Sequence, residues 1–149
     1  MDIKKLNHDE VSDFRSLIEI FKIVFENEDQ ISDNGYLSKL LSNPDFWVFV
    51  VKQNNEILGG LTIYILHNYY SSKPVAYIYD VGITPKFQGQ GIGKLLIAEV
   101  CKYCKDYGFE DAYVDAESDD IDAVTFYRKT NCSNEMNTIQ FTYNFENKI

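Results

Sequence analysis

Val81-Gly82-Ile83-Thr84-Pro85-Lys86-Phe87-Gln88-Gly89-Gln90-Gly91-Ile92-Gly93-Lys94-Leu95-Leu96 is the stretch from which the fold can be read. Upstream of it, Val75 to Ile83 is a long run of β-branched and aromatic residues, a strand whose ladder Pro85 prevents from continuing. Downstream, Ile92, Leu95, Leu96, Val100, Tyr103 and Cys104 recur at helical spacing from Gly91 to Tyr107, and Gly108 stops the helix. Between strand and helix lies Gln88-Gly89-Gln90-Gly91-Ile92-Gly93. Glycines lack a Cβ, so backbone N–H groups there can turn toward an anion, and the helix N-terminus adds its partial positive charge. The turn reads as a pyrophosphate cradle. A dinucleotide fold would place such a turn in its first strand-helix unit, with an acidic residue about 20 positions on. Here four candidate strands precede it. Gly93-Lys94 is followed by Leu95, so the Ser or Thr of a nucleoside-triphosphate loop is missing too.

Working outward, Met1 to Leu6 is a short strand, and Asn7 is placed to cap a helix carrying Val11, Phe14, Leu17, Ile18, Phe21 and Phe25 on one side. The polar, acidic segment from Glu26 to Ser32 leads to a second short helix with Tyr36, Leu37, Leu40 and Leu41 on one side, ended by Asn43-Pro44. Phe46 to Lys52 and Ile57 to Leu66 form a hairpin across Gln53-Asn54-Asn55, and Gly59-Gly60 suggests a bulge in its second strand. After the long helix come a strand from Ala112 to Ala116, a helix from Ile121 to Lys129 and an alternating final strand from Ile139 to Phe145. The expected class is α/β (α+β): a single domain over 1–149 with a mixed sheet and helices on its faces.

The 149 residues carry 14 Lys plus Arg against 23 Asp plus Glu, a net charge of -9. That field repels phosphates and anionic headgroups, so neither nucleic acid nor a membrane is an expected partner. No apolar run reaches the ~18 residues of a membrane helix, and MDIKKLNHDE has no apolar leader stretch, so a cytoplasmic location is expected. Cys101, Cys104 and Cys132 are expected to be reduced thiols. Cys101 and Cys104 have no second pair or suitably spaced histidine to complete a zinc site, and no metal is expected. His8 and His67 lack a partner pattern, and Trp47 is expected in the core.

Gln88, Gly91 and Gly93 match the acetyl-CoA motif of the GCN-type (GNAT) N-acetyltransferase superfamily, and the sequence resembles that motif's surroundings from Val81 to Leu96. The resemblance implies the GNAT fold, a mixed, mostly antiparallel central sheet of six to seven strands flanked by about four helices. It also implies acetyl-CoA as co-substrate, with backbone near Val81, Gly82 and Ile83 holding the acetyl and pantetheine parts where the strand splays from its neighbour. Gln88, Gly89, Gln90, Gly91, Ile92 and Gly93 would take the pyrophosphate. Ala123-Val124-Thr125-Phe126-Tyr127-Arg128-Lys129 resembles the family segment whose tyrosine protonates the leaving thiolate, which assigns that role to Tyr127. The family's usual Gly-Phe-like turn is replaced by Thr130-Asn131-Cys132, and Asn131 tolerates the left-handed backbone such a turn needs.

Amine substrates arrive protonated, so a group must take a proton before attack. Asp80 interrupts the apolar strand Tyr77-Ile78-Tyr79-Asp80-Val81 beside the expected acetyl site, where a carboxylate needs a reason. This segment resembles the aminoglycoside 3-N-acetyltransferase branch. Phe21-Lys22-Ile23-Val24-Phe25 and Tyr36 to Leu41 resemble its substrate-side helices, and Asp119-Asp120 its acidic loop. The resemblance makes Asp80 base and substrate ligand, with Asp119 and Asp120 as further carboxylates and a homodimer through the C-terminal strands as a possible assembly. Two departures are the short loop between Phe25 and Tyr36 and the Val75 or Ala76 that stands where an acidic residue is expected. Glu26, Glu28 and Asp29 are candidates for a negative rim. The expectation is acetyl transfer to a primary amine of a small cationic substrate, an aminoglycoside among them. Polyamines, other small amines, protein amino groups and a non-catalytic CoA-binding module are the alternatives.

Overall fold

The structure, a computed structural model, describes residues 1–146. By packing, the chain divides into two compact units, Met1–Asp115 and Ala116–Ile149. The first holds β1 (Asp2–Lys5), α1 (Val11–Val24), α2 (Asn34–Ser42), β2 (Phe46–Gln53), β3 (Glu56–Leu66), β4 (Val75–Ile83), a single 3-10 turn at Pro85–Phe87, α3 (Ile92–Tyr107) and β5 (Asp111–Val114). The second holds α4 (Ile121–Arg128). The sheet order is β1-β2-β3-β4-β5, antiparallel up to β4 and parallel between β4 and β5. A parallel pair cannot be joined by a hairpin, and α3 supplies the crossover.

The mixed, mostly antiparallel sheet and the four α-helices among the described residues agree with expectation, but five strands stand among them where six to seven were expected. The difference lies at Ile139 to Phe145, which forms no strand. Its alternation is real, since Ile139, Phe141, Tyr143 and Phe145 occupy every second position. All four are exposed, and no ladder partner pairs with them among the described residues. A period of two marks a face that could be buried, whereas strand structure also needs backbone partners.

Local signals account for most element ends. The β2–β3 hairpin turns on Asn54 and Asn55, at φ 51° and 63°. Two consecutive left-handed residues match the right-handed twist of the flanking strands, and Asn tolerates that conformation better than most residues. Asp33 caps α2, accepting from the Tyr36 amide at 2.9 Å, and Asn43 is extended ahead of Pro44. Asn7 is not the cap of α1. It forms a turn before it, in which Glu10 N donates to Asn7 O (3.1 Å) and Asn7 N donates to Glu10 Oε1 (2.8 Å), and the helix starts at Val11.

Successive residues of a strand point to opposite faces. Phe46 meets Phe14 of α1 (ring centroids 5.9 Å), while Trp47 meets Tyr103 and Tyr107 of α3 at 5.5 and 5.0 Å. The α1 and α3 helices therefore cover opposite faces. On the α1 face Gly60 and Gly82 are cross-strand partners. A Cβ at Gly60 would stand 2.2 Å from Phe49 O and 3.0 Å from Leu17 Cδ1, and one at Gly82 would stand 3.0 Å from Phe21 Cδ1. These glycines let α1 lie directly on the strands. The bulge suggested by Gly59-Gly60 falls one residue earlier: Val51 pairs with Gly59 and Lys52 with Ile57, leaving Leu58 extra. No helix among the described residues is long and apolar enough to cross a membrane. Cys101, Cys104 and Cys132 are free thiols.

Candidate active site

A second bulge shapes the site. Ile63 pairs with Ile78 and Leu61 with Val81, so Thr62 alone faces the two residues Tyr79 and Asp80. Such a bulge bends its strand and re-aims side chains. Here both Tyr79 and Asp80 line a cavity of about 480 Å³ on the α1 face. Its walls are Phe14, Ile18, Phe21 and Lys22 of α1, Tyr36, Leu37 and Leu40 of α2, and Phe46, Thr62 and Tyr64 of the sheet, closed by the loop containing Asn27 and Asp29. The apolar spacing that makes α1 amphipathic thus also forms one side of the cavity.

Asp80 is half-buried, and burial pushes its carboxyl above the usual carboxylate range. Its carboxylate has no hydrogen-bond or ion-pair partner among the described residues, while its backbone N–H donates to Thr62 Oγ1 at 3.3 Å. Beside it the Tyr64 and Tyr79 rings meet edge to face at 5.3 Å. The Tyr64 hydroxyl is pushed up by burial and by the nearby Tyr79 and Asp80. The Tyr77 hydroxyl donates to Asp115 (3.0 Å), and burial and this hydrogen bond push it up to about 12.

The glycine turn follows β4 after Thr84 and the 3-10 turn at Pro85–Phe87. Gly89 and Gly91 take φ 75° and 82°, conformations that cost a side-chain-bearing residue about 1–2 kcal/mol. A Cβ at either would meet nothing within 4 Å, so backbone conformation and not crowding explains these glycines. Gly91 precedes α3 with no side-chain cap, which leaves the first-turn amides of Ile92, Gly93 and Lys94 without intrahelical partners. That is the donor set a pyrophosphate takes. The Gln88 side chain is used within the turn, its Nε2 donating to Ile83 O at 2.9 Å. The β4–β5 ladder ends at Ile78–Val114, so among the described residues no strand pairs with that edge of β4 along Val81, Gly82 and Ile83. An unpaired strand edge offers backbone donors and acceptors to an extended, amide-bearing chain such as pantetheine.

Of the acidic candidates, Asp29 lines the cavity together with Asp80, whereas Glu26 and Glu28 occupy the same loop without lining it. In the 116–149 unit, Asp120 caps α4, its Oδ1 accepting from Ala123 N at 3.1 Å, and Asp119 is exposed. Tyr127 is on α4, half-buried, with its ring 5.0 Å from that of Phe126. Asn131 takes φ 60°, the left-handed turn its side chain allows. Lys22 and Tyr36 lie in the two segments that the resemblance put on the substrate side, and both line the cavity, whereas Thr62, Tyr64 and Phe46 were not singled out from the sequence. Those three read there as ordinary strand residues, and only tertiary packing brings them to the cavity.

The profile of the acetyltransferase (GNAT) family matches residues 14–131. The chain belongs to the acetyltransferase (GNAT) family. A solved GNAT-fold structure very similar to it is an aminoglycoside acetyltransferase from an uncultured soil metagenomic sample, in complex with sisomicin. The two are 40% identical, with TM-score 0.95, over 97% of this chain and 96% of that one. Among curated relatives, a mycothiol acetyltransferase of Arthrobacter sp. (strain FB24) is 29% identical over 87 residues, 58% of this chain and 27% of that protein. An aminoglycoside N(6')-acetyltransferase type 1 of Stenotrophomonas maltophilia is 26% identical over 96 residues, 62% of this chain and 63% of that protein. This GNAT chain thus spans about a quarter of the length of the first and under two thirds of the second.

Proposed function

We propose that the chain is an acetyl-CoA-dependent N-acetyltransferase, one domain throughout, that acetylates a primary amine of a small cationic substrate of the aminoglycoside class in a ternary complex. The observation that carries this reading is Asp80: a half-buried carboxylate without a partner among the described residues, on the wall of the cavity and three residues before the strand end that leads into the glycine turn. An unpaired, desolvated carboxylate is held in a poor state for the free protein and a useful one for an incoming ammonium. Burial raises its basicity toward that of the proton it must take. Two carboxylates, Asp29 and Asp80, face one cation, Lys22, so the cavity is negative overall, and the Tyr64 and Tyr79 rings add faces that attract cations.

Acetyl-CoA supplies the thioester whose acetyl group moves to the amine. The residues that fit it are the amides of Ile92, Gly93 and Lys94 and the turn at Gly89 to Gly91 for the pyrophosphate, with the open β4 edge at Val81, Gly82 and Ile83 for the pantetheine arm. Asp80 receives the ammonium and takes its proton, and Tyr127 returns a proton to the departing sulfur. The resemblance of Tyr77-Ile78-Tyr79-Asp80 to the 3-N branch supports the 3-N amine as acceptor. A homodimer belongs to the same proposal, supported by the exposed apolar run from Ile139 to Phe145, and light scattering tests it.

The test is release of free CoA with sisomicin, spermidine and a lysine-containing peptide in parallel. Sisomicin should be turned over with the highest kcat/KM, and NMR of the product should place the acetyl group on the 3-amine. Acetyl-CoA binding without acceleration by any amine would leave a CoA-binding module instead. Faster turnover of spermidine or peptide would move the substrate class.

A further inference from the structure

Thr62 is the only polar side chain buried among the described residues, at 5% exposure. It sits in β3 between Gly60 and Tyr64 on the cavity face, opposite the point where the β3–β4 pairing changes register. Continued one-to-one pairing from Ile63–Ile78 would set Thr62 opposite Tyr79 and Leu61 opposite Asp80. Because side chains alternate, the Asp80 carboxylate would then turn to the face of Leu61 and Ile63, both fully buried on the α3 side. The extra residue in β4 prevents that and brings Tyr79 and Asp80 together to the cavity.

Apolar burial rules out the slipped register, but it does not fix where Asp80 rests within the bulge. A bulge locally disrupts the ladder, and a carboxylate that burial disfavours tends to swing toward solvent. Among the described residues the one side chain that bonds to the Asp80 backbone is Thr62, whose Oγ1 accepts from Asp80 N at 3.3 Å. A β-branched side chain has few rotamers, so its hydroxyl is held in place. Valine has the same outline and could fill the space without making the bond.

We propose that Thr62 is a positioning residue for Asp80: its hydroxyl fastens the bulge through the Asp80 amide and so holds the carboxylate in the cavity. The inference rests on the reading of Asp80 as the base, and the experiment separates the two. Thr62→Val and Thr62→Ser are compared with wild type, Asp80→Asn and the Asp80→Asn/Thr62→Val double variant. Turnover is measured with sisomicin and acetyl-CoA, and hydrogen exchange of the Asp80 amide by NMR. Thr62→Val should lower kcat by about tenfold to a hundredfold, as expected for a displaced catalytic group, and leave the KM for acetyl-CoA unchanged. Thr62→Ser should retain most of the activity. The Asp80 amide should exchange about tenfold faster in Thr62→Val while core amides of β2 and β3 keep their protection. In the double variant the Thr62 change should add nothing to Asp80→Asn, the mark of two residues acting as a unit.

Unchanged protection of the Asp80 amide, or additive losses in the double variant, overturns the inference while the base reading stands. Full turnover in Asp80→Asn ends the base reading and this inference with it. If Thr62→Val does not fold, Thr62→Ser decides: loss of both amide protection and turnover there shows that a hydroxyl at this position is not what holds Asp80.

Discussion

Gly60→Ala tests whether a Cβ-free floor under α1 is what allows the helix and the cavity beside it to form. The new Cβ would stand 2.2 Å from Phe49 O, a backbone atom of the neighbouring strand, and 3.0 and 3.1 Å from the two Leu17 methyls. A carbon normally approaches a carbonyl oxygen no closer than about 3.3 Å, so β2 and β3 must part by roughly 1 Å locally, and Leu17, which has no exposed surface, has nowhere to retreat. Overpacking of this kind costs about 1–3 kcal/mol. Replacing glycine also stiffens the unfolded chain, which returns about 0.4–1 kcal/mol. The net expectation is a destabilisation of about 1–2 kcal/mol, or a Tm lower by about 3–6 °C for a chain of this length. Urea unfolding followed by circular dichroism should show a lower midpoint with the same slope. A Gly60→Ala protein as stable as wild type would refute the close approach of α1 to the sheet.

Asp80→Asn should lower kcat with sisomicin by about a hundredfold or more, the usual contribution of a positioned base, with acetyl-CoA affinity unchanged. In the wild type, kcat/KM should rise with pH through an acid limb placed above the ordinary carboxylate range, because burial favours the protonated form, and Asp80→Asn should lose that limb. The same shift has a stability consequence. The folded protein holds the Asp80 proton more tightly than the unfolded chain does, so this group's contribution is present at acid pH and is lost as pH rises through its folded value. The Tm of Asp80→Asn relative to wild type should therefore be higher at neutral pH than at pH 3, as read by differential scanning fluorimetry with an extrinsic dye. Gly91→Ala meets no steric obstacle but must adopt φ 82°, so it should weaken acetyl-CoA binding several-fold by calorimetry through strain of about 1–2 kcal/mol in the turn.

Much of this molecule is legible from local chemistry. The strand at Val75 to Ile83, the asparagine hairpin, the helix Ile92–Tyr107 with its stop at Gly108 and the glycine turn all depend on neighbours within a few residues. The final strand depends on more: Ile139 to Phe145 has the right alternation but no pairing partner among the described residues. The cap of α1 failed similarly, because Asn7 is satisfied in a turn with Glu10 before the helix begins. In the site, Asp80 stands out because a charge interrupts an apolar run. Thr62 does not, since threonine is common in strands and its importance comes from a register change visible only once β3 and β4 are paired. Lys22 and Tyr36 reach the cavity from two different helices, a proximity no spacing rule contains.

The lone Trp47 is buried on the face of the sheet away from the cavity, its ring edge-on to Tyr103 and Tyr107, 5.2 Å from Phe109 and 5.0 Å beneath the Lys5 ammonium. Its emission is therefore an optical gauge of how the last turns of α3 grip β2. A ligand entering the cavity on the opposite side should leave that signal almost dark to its arrival, so a flat fluorescence titration is no proof of an empty pocket, whereas the same wavelength follows the melting of the core cleanly.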